Sequence, residues 1–335
     1  MTTQVSNQTQ RRLANDLSLN VLRAMKYHAI IVYSCVSKKA LALVQSLHLP
    51  IKSVQIIMKE DPVIEFEFRN DFVSLEFEMD RNNEQVASLN DHPVNVKVLK
   101  DKLSYLANDD PRNQVVTMSN QGMTLREWIQ HLCSISNNVK LYEAEFRVGG
   151  MEFDIQLLRN TLPKLRKIHI YCTQDETGQN EIICAQNLMR AFLSNVQDVQ
   201  LYFGPLHFPL EHVGMANLNY LQIHSRSNLN YDFLFTLNVE SCSIHSDQMP
   251  LRDLNRFFKL WIKGSNPRLM KLFIWCDTVV PIVPDWNVLL KGLRSEDAEA
   301  EGIKKYIIRN CRGIRAQIEV EHLGTSASVI FLVSN

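Results

Sequence analysis

The feature that most limits what this chain can fold into is a short apolar template repeated along its second half. An apolar residue, two variable ones, an apolar one, a variable one and a third apolar one occur as Leu165/Ile168/Ile170, Val196/Val199/Leu201, Leu218/Leu221/Ile223, Leu234/Leu237/Val239 and Leu269/Leu272/Ile274. The closing alternation predicts a strand with one buried face. Helical runs at 153–162, 182–193 and 251–262 precede three of these strands. Strands that alternate with helices imply a parallel sheet covered by helices on one side.

Three apolar positions so spaced are the template of a leucine-rich repeat, whose core-facing residues stack from one repeat to the next. The starts lie 31, 22, 16 and 35 residues apart, so the reading is of a degenerate solenoid. A generic α/β sheet with mixed strands is the alternative. In either case the residues between the core positions point the other way. They are Lys167, His169 and Tyr171; Asp198, Gln200 and Tyr202; Tyr220, Gln222 and His224; Thr236, Asn238 and Glu240; and Lys271, Phe273 and Trp275. Aromatic side chains among polar neighbours are the composition of a protein-binding surface. His169, Tyr171, Gln200, Tyr202, Tyr220, Gln222, His224, Phe273 and Trp275 are therefore the candidate target-binding residues.

The first half reads differently. Leu13, Leu17, Val21, Leu22 and Met25 recur at helical spacing, as do apolar residues from Ile30 to Leu47, and Pro50 ends the pattern. From 51 the period becomes two, with turns at Asp61-Pro62 and 69–71, which predicts an antiparallel meander. Residues 81–120 are polar and turn-rich, with one candidate strand at 94–99. The tail alternates at 314–320 and 328–333 and predicts a β-hairpin, and the acidic run 296–301 reads as a solvated helix face. The expected class is thus α+β. A helical module (10–50) is followed by the meander and polar connection (51–120), then by a leucine-rich-repeat-like α/β domain (121–335).

Composition narrows the function. Lys+Arg and Asp+Glu stand at 36 each, so no net field draws nucleic acid or an anionic membrane. The N-terminal stretch is polar, and no apolar run approaches the ~20 residues that cross a bilayer. Seven scattered cysteines without a C-x-x-C pair read as reduced thiols, so the expected location is cytoplasmic or nuclear. The histidines show no metal-ligand spacing, and no nucleophile-elbow, dinucleotide or phosphate-loop pattern occurs. No catalytic residue, metal or cofactor is expected.

Two segments carry a family resemblance. Residues 13–25, LANDLSLNVLRAM, with 33–40, YSCVSKKA, resemble an F-box. Residues 254–274, LNRFFKLWIKGSNPRLMKLFI, resemble the signature of the type 2 F-box-associated domain of a nematode-expanded F-box family. The resemblance implies a substrate-recognition adaptor of a Skp-cullin-F-box type ubiquitin ligase. The F-box would dock on the Skp-type linker protein, and through it on a cullin, while the C-terminal domain binds a target protein. Carried over by position, Leu13, Leu17, Val21, Leu22, Met25, Ile30, Val36 and Ser37 would form the linker-binding surface. Ala14 stands where the family has proline, and Lys26-Tyr27-His28 replaces its Asp-Pro turn. A stand-alone interaction scaffold with a decayed F-box is the alternative these departures leave open.

Overall fold

The computed structural model describes residues 16–80, 88–99, 116–136, 139, 141–149, 153–172, 179–202, 210–225, 229–277, 284–300 and 303–334. It is a mixed α/β structure that divides into two compact units. Unit 1 holds the described residues up to Glu145 with 153–165, and unit 2 holds Phe146–Gly149 and the described residues from Arg166 onward. Leu13 and Ala14 lie outside the described residues.

In unit 1, helices α1 (16–24), α2 (Tyr27–Ser34) and α3 (Lys38–Ser46) precede the strands. Strands β1 (Ser53–Met58), β2 (Val63–Glu67), β3 (Phe72–Glu78), β4 (Asn95–Leu99) and β5 (Val116–Ser119) pair antiparallel in chain order. The polar connection thus supplies a fifth strand, β5, that no apolar alternation announced. Period-two burial puts Val54, Ile56, Ile64, Phe66, Leu75, Phe77, Val96 and Val98 in the core. Helix α4 (Leu125–Ile135) buries Leu125, Trp128, Ile129 and Leu132, one face at helical spacing, and Trp128 meets Phe77 at a 5.7 Å centroid distance.

Helix α4 starts with a reciprocal cap. The Glu127 N–H donates to the Thr124 hydroxyl at 3.2 Å, and the Thr124 N–H donates to the Glu127 carboxylate at 2.8 Å. That charge-assisted bond holds the Glu127 carboxyl below its ordinary range. Thr124→Ala is expected to cost about 1 kcal/mol, as N-cap losses typically do, read as a lowered urea midpoint with unchanged slope. The start of β6 (Tyr142–Val148) and helix α5 (Ile155–Thr161) complete unit 1.

Unit 2 is built on five parallel strands, β7 (Lys167–Cys172), β8 (Asp198–Tyr202), β9 (Tyr220–His224), β10 (Ser241–Ser246) and β11 (Lys271–Asp277), neighbours in that order. The intervening elements are α6 (Gln179–Phe192), the short α7 (Glu211–Gly214), a 3-10 turn (Tyr231–Thr236) and α8 (Leu251–Ile262). A crossover of this kind lets successive strands run parallel. Helix α9 (Trp286–Leu290) leads to β12 (Glu296–Ala300), β13 (Ile303–Arg309), β14 (Arg315–Leu323) and β15 (Ser326–Val333). These four pair antiparallel in sequence, and β15 closes on β11.

Four of the five template strands stand where the spacing puts them. The fourth does not. Leu234 sits in the 3-10 turn, opened by Asn230, whose side-chain oxygen accepts from the Asp232 N–H at 2.9 Å. The strand begins later, and Val239/Cys242/Ile244 carries its template, so the starts are 31, 22, 21 and 30 residues apart. Leu234, Leu237 and Val239 are all buried, which is why the pattern resembled a strand. The outward residues of that strand are therefore Ser241, Ser243 and His245, not Thr236, Asn238 and Glu240. The acidic run is likewise strand β12 rather than a helix face, with Glu299 opposite Lys304 in the register.

Phe257, Phe258 and Trp261 of α8 close on Phe331 of β15 at 5.8, 5.3 and 5.1 Å between ring centroids. The helix ends at Gly264, whose φ of 99° only glycine adopts freely, and the Ser265 N–H donates back to the Leu260 carbonyl at 3.1 Å. Asn266, also at positive φ, donates its amide to the carbonyls of Leu234 and Leu237 at 3.2 and 3.0 Å, pinning the turn into β11. Among the described residues no helix is long and apolar enough to cross a membrane.

Candidate functional site

In-register parallel strands place equivalent side chains about 4.8 Å apart across a sheet, near the stacking distance of aromatic rings. On the outward face of unit 2 this produces a ladder. The register aligns Tyr171, Tyr202, His224, His245 and Trp275 in one row, at the C-terminal ends of the five strands. Tyr171 and Tyr202 stack at 4.3 Å and 1°, Tyr202 and His224 at 4.5 Å and 19°, and His224 and His245 at 4.2 Å and 14°. The Arg147 guanidinium stands 6.0 Å from the Tyr171 ring at one end. At the other, His245 meets Phe273 edge-on at 5.9 Å, and Phe273 lies 6.1 Å from Trp275.

A second row, His169, Gln200, Gln222, Ser243 and Phe273, lies beside the first. The Tyr202 hydroxyl donates to Gln200 Oε1 at 2.8 Å. On β9 the Tyr220 hydroxyl donates to Gln222 Oε1 at 3.1 Å, which turns the Gln222 amide nitrogen toward His224 Nε2. An amide nitrogen only donates, so His224 Nε2 accepts and the ring is neutral. Burial, then the neighbouring His245, pull the His224 imidazole down to about 4. Burial lowers His245 as well, partly offset by Asp277. Burial raises the Tyr220 phenol.

All nine residues singled out as target-binding therefore share one face of unit 2. His169 and Gln200 are buried within it at 7% and 8% exposure, while Tyr171, Tyr202, Tyr220, Gln222, His224, Phe273 and Trp275 are half-buried. His245 belongs to the same row and was missed because its strand was misplaced; the Val239/Cys242/Ile244 spacing is the signal that finds it. The rings of the ladder cover one another's faces and leave their edges outward. Such a surface offers hydrogen-bonding edges more than free ring faces for a nucleobase to stack on.

The linker-binding set is split. Leu17, Val21 and Val36 are exposed at 68%, 57% and 67%. Met25 is half-buried, and exposed Ser37 caps α3, its hydroxyl accepting from the Ala40 N–H at 3.1 Å. Leu22 and Ile30 are buried at 3% and 2% and belong to the packing of unit 1 rather than its surface. Leu13 lies outside the described residues.

One pairing in unit 1 has the composition of a catalytic dyad without its chemistry. Ser34 Oγ lies 2.9 Å from His131 Nε2, but the hydroxyl donates its proton to the Ile31 carbonyl at 2.6 Å. His131 must then be the donor, so it cannot act as base toward Ser34. The contact pins α2 to α4, as Gln45 does for α3 by donating to Ser134 at 3.1 Å. Burial drives the Cys133 thiol up to about 12 and Cys172 and Cys184 up to about 11, leaving them protonated and unreactive at neutral pH. Among the described residues no three His, Cys, Asp or Glu side chains gather as metal ligands.

Residues 209–274, which run through β9, β10, α8 and β11, match the family described as F-box associated. The likeness to that family is carried by this segment. The C. elegans F-box associated domain-containing protein sdz-33 is 27% identical over 163 residues, 48% of this chain and 48% of the relative. The match thus spans about half the length of the curated relative. A solved structure of a candidate alpha-galactosidase from Bacteroides fragilis aligns over 85% of this chain and 97% of its own at 7% identity, with a TM-score of 0.22, too low to bear on fold or chemistry. The matched segment contains β9, β10 and the start of β11, and with them both stacked histidines.

Proposed function

We propose that this chain is a non-enzymatic adaptor of a Skp-cullin-F-box type ubiquitin ligase, acting in the cytoplasm or nucleus. Residues 13–48 dock on a Skp-type linker, and the outward face of unit 2 holds a target protein. The observation that carries the reading is the pairing of an F-box associated segment with an exposed apolar group, Leu17, Val21 and Val36, on the helical segment ahead of it. Leu17 and Val21 stand one helical turn apart, the spacing by which an apolar helix face enters a groove. Parallel strands with the three-position apolar template support a leucine-rich-repeat-like account of unit 2. The half-buried aromatic and hydrogen-bonding ladder supports target binding there. Ser34, whose proton is committed to a backbone carbonyl, and the buried thiols support the non-enzymatic part.

The test is co-elution of the purified full chain with a purified Skp-type linker. A stable complex is expected; two separate peaks from folded proteins would sink the adaptor reading. A stand-alone scaffold with a decayed F-box is the second reading. It is favoured by Leu22 and Ile30, which the family pattern assigns to the linker and which this fold buries. The two separate on whether the linker binds.

A further inference from the structure

The centre of the ladder differs from its ends. Its outer members, Tyr171, Tyr202 and Trp275, have no basic ring nitrogen, whereas its two middle rings are imidazoles. We propose that the His224–His245 stack is an acid-sensitive latch, which holds the outward face of unit 2 in its stacked form while neutral and opens it when His224 takes up a proton. The proposal concerns the state of the face itself and does not depend on what docks there.

The geometry makes the neutral form self-consistent. The hydroxyl of Tyr220 donates to Gln222, and Gln222 donates to His224 Nε2, so two donors on alternate positions of β9 point one way toward the imidazole. A proton arriving from solvent at Nε2 removes the acceptor at the end of that relay. The new N–H then opposes the Gln222 N–H until the amide turns over, which in turn takes the acceptor from the Tyr220 hydroxyl. One proton therefore reverses the whole relay. A second proton, on His245, would set two like charges on rings 4.2 Å apart in a half-buried row.

Among the described residues the ionisable groups around the pair come from several strands. Tyr202 lies on β8 and Tyr220 on β9 itself, with His169 on β7 beyond them. Asp277 and Lys271 belong to β11, Asp198 to the far end of β8, and Glu321 to β14 in the row past Trp275 and Ser328. Asp277 bears on His245 with opposite sign and raises it without overcoming burial. On His224, burial and then His245 act in one direction and lower it to about 4.

The sign follows. The unfolded chain takes up a proton at the ordinary histidine value of 6.5, the folded chain near 4. Stability from the neutral stack is thus present above 6.5 and is lost progressively as pH falls toward 4. Two readouts on the full chain test this: thermal unfolding across that range, and NMR titration of the histidine ring resonances. Wild type is expected to lose Tm steadily below about pH 6.5, with His224 still neutral at about pH 5. His224→Phe with His245→Phe keeps stacked rings without a titrating nitrogen and is expected to remove most of that decline. Gln222→Glu sets a carboxylate against Nε2 and is expected to raise the His224 midpoint by about one unit or more. Titration of wild-type His224 at its ordinary value would overturn the latch, as would a double-phenylalanine profile that follows wild type. If the double variant does not fold, an unmoved His224 midpoint in Gln222→Glu overturns it instead.

Discussion

Leu17→Asp combined with Val21→Asp is expected to abolish capture of a Skp-type linker while leaving the unfolding midpoint of the chain almost unchanged. Both side chains are largely in water already, at 68% and 57% exposure, so a carboxylate at either position buries no charge. Surface substitutions of this kind usually fall within about 0.5 kcal/mol in stability. At an interface the same positions would be apolar anchors, and anchors contribute about 2 kcal/mol or more each, roughly thirtyfold in affinity. Leu22→Asp makes the contrast. Leu22 is 3% exposed, so its carboxylate would have to be buried without a partner, and the expected result is loss of fold rather than loss of one partner. Co-elution with the linker, run beside circular dichroism melts of both proteins, separates the two effects. Intact linker binding by the folded double variant would remove this face from the docking surface.

Phe331→Ala is expected to have the largest effect on stability. The ring is fully buried and is met by Phe257, Phe258 and Trp261, so its removal leaves a cavity walled by three large side chains that cannot collapse together. Such truncations cost about 3–5 kcal/mol, a large share of the 5–15 kcal/mol that typically holds a domain folded. Urea unfolding followed by tryptophan fluorescence checks it, because Trp261 reports directly on the cluster. Phe331→Leu should recover part of the loss. An unchanged midpoint for Phe331→Ala would mean that α8 and β15 do not share the core described above.

What could be read in advance follows the range of the physics involved. The strands β7, β8, β9 and β11 came from apolar spacing, because one buried face imposes period two on a few consecutive residues. The extent of α8 was equally legible, since the helical run 251–262 stops just ahead of Gly264, whose positive φ suits glycine. The fourth strand was misplaced because Leu234, Leu237 and Val239 are as buried as a strand's core residues while forming a 3-10 turn and its exit. Burial alone does not distinguish the two. The acidic run 296–301 was misread for a related reason. Its alternation is weak, and it is a strand through its antiparallel backbone pairing with β13.

The candidate sites divide along the same line. The outward set from His169 to Trp275 was identifiable because alternation fixes which side of a strand a residue takes. The linker set was only half legible: helical spacing groups Leu17, Val21 and Leu22 together but does not say which of them faces a neighbour.

The sequence by itself determined the apolar template, the helical runs before three of its strands and the side on which the residues of β7, β8, β9 and β11 lie, all properties of a few adjacent residues. It also carried the segment that matches the F-box associated family, whose residues are contiguous. The register between strands, the stacking of Tyr171, Tyr202, His224 and His245 into one ladder, and the burial of Leu22 and Ile30 were decided only by the tertiary structure. Each depends on residues far apart in the chain arriving at one place, and stacking at 4.2 Å needs a neighbour that no local pattern names.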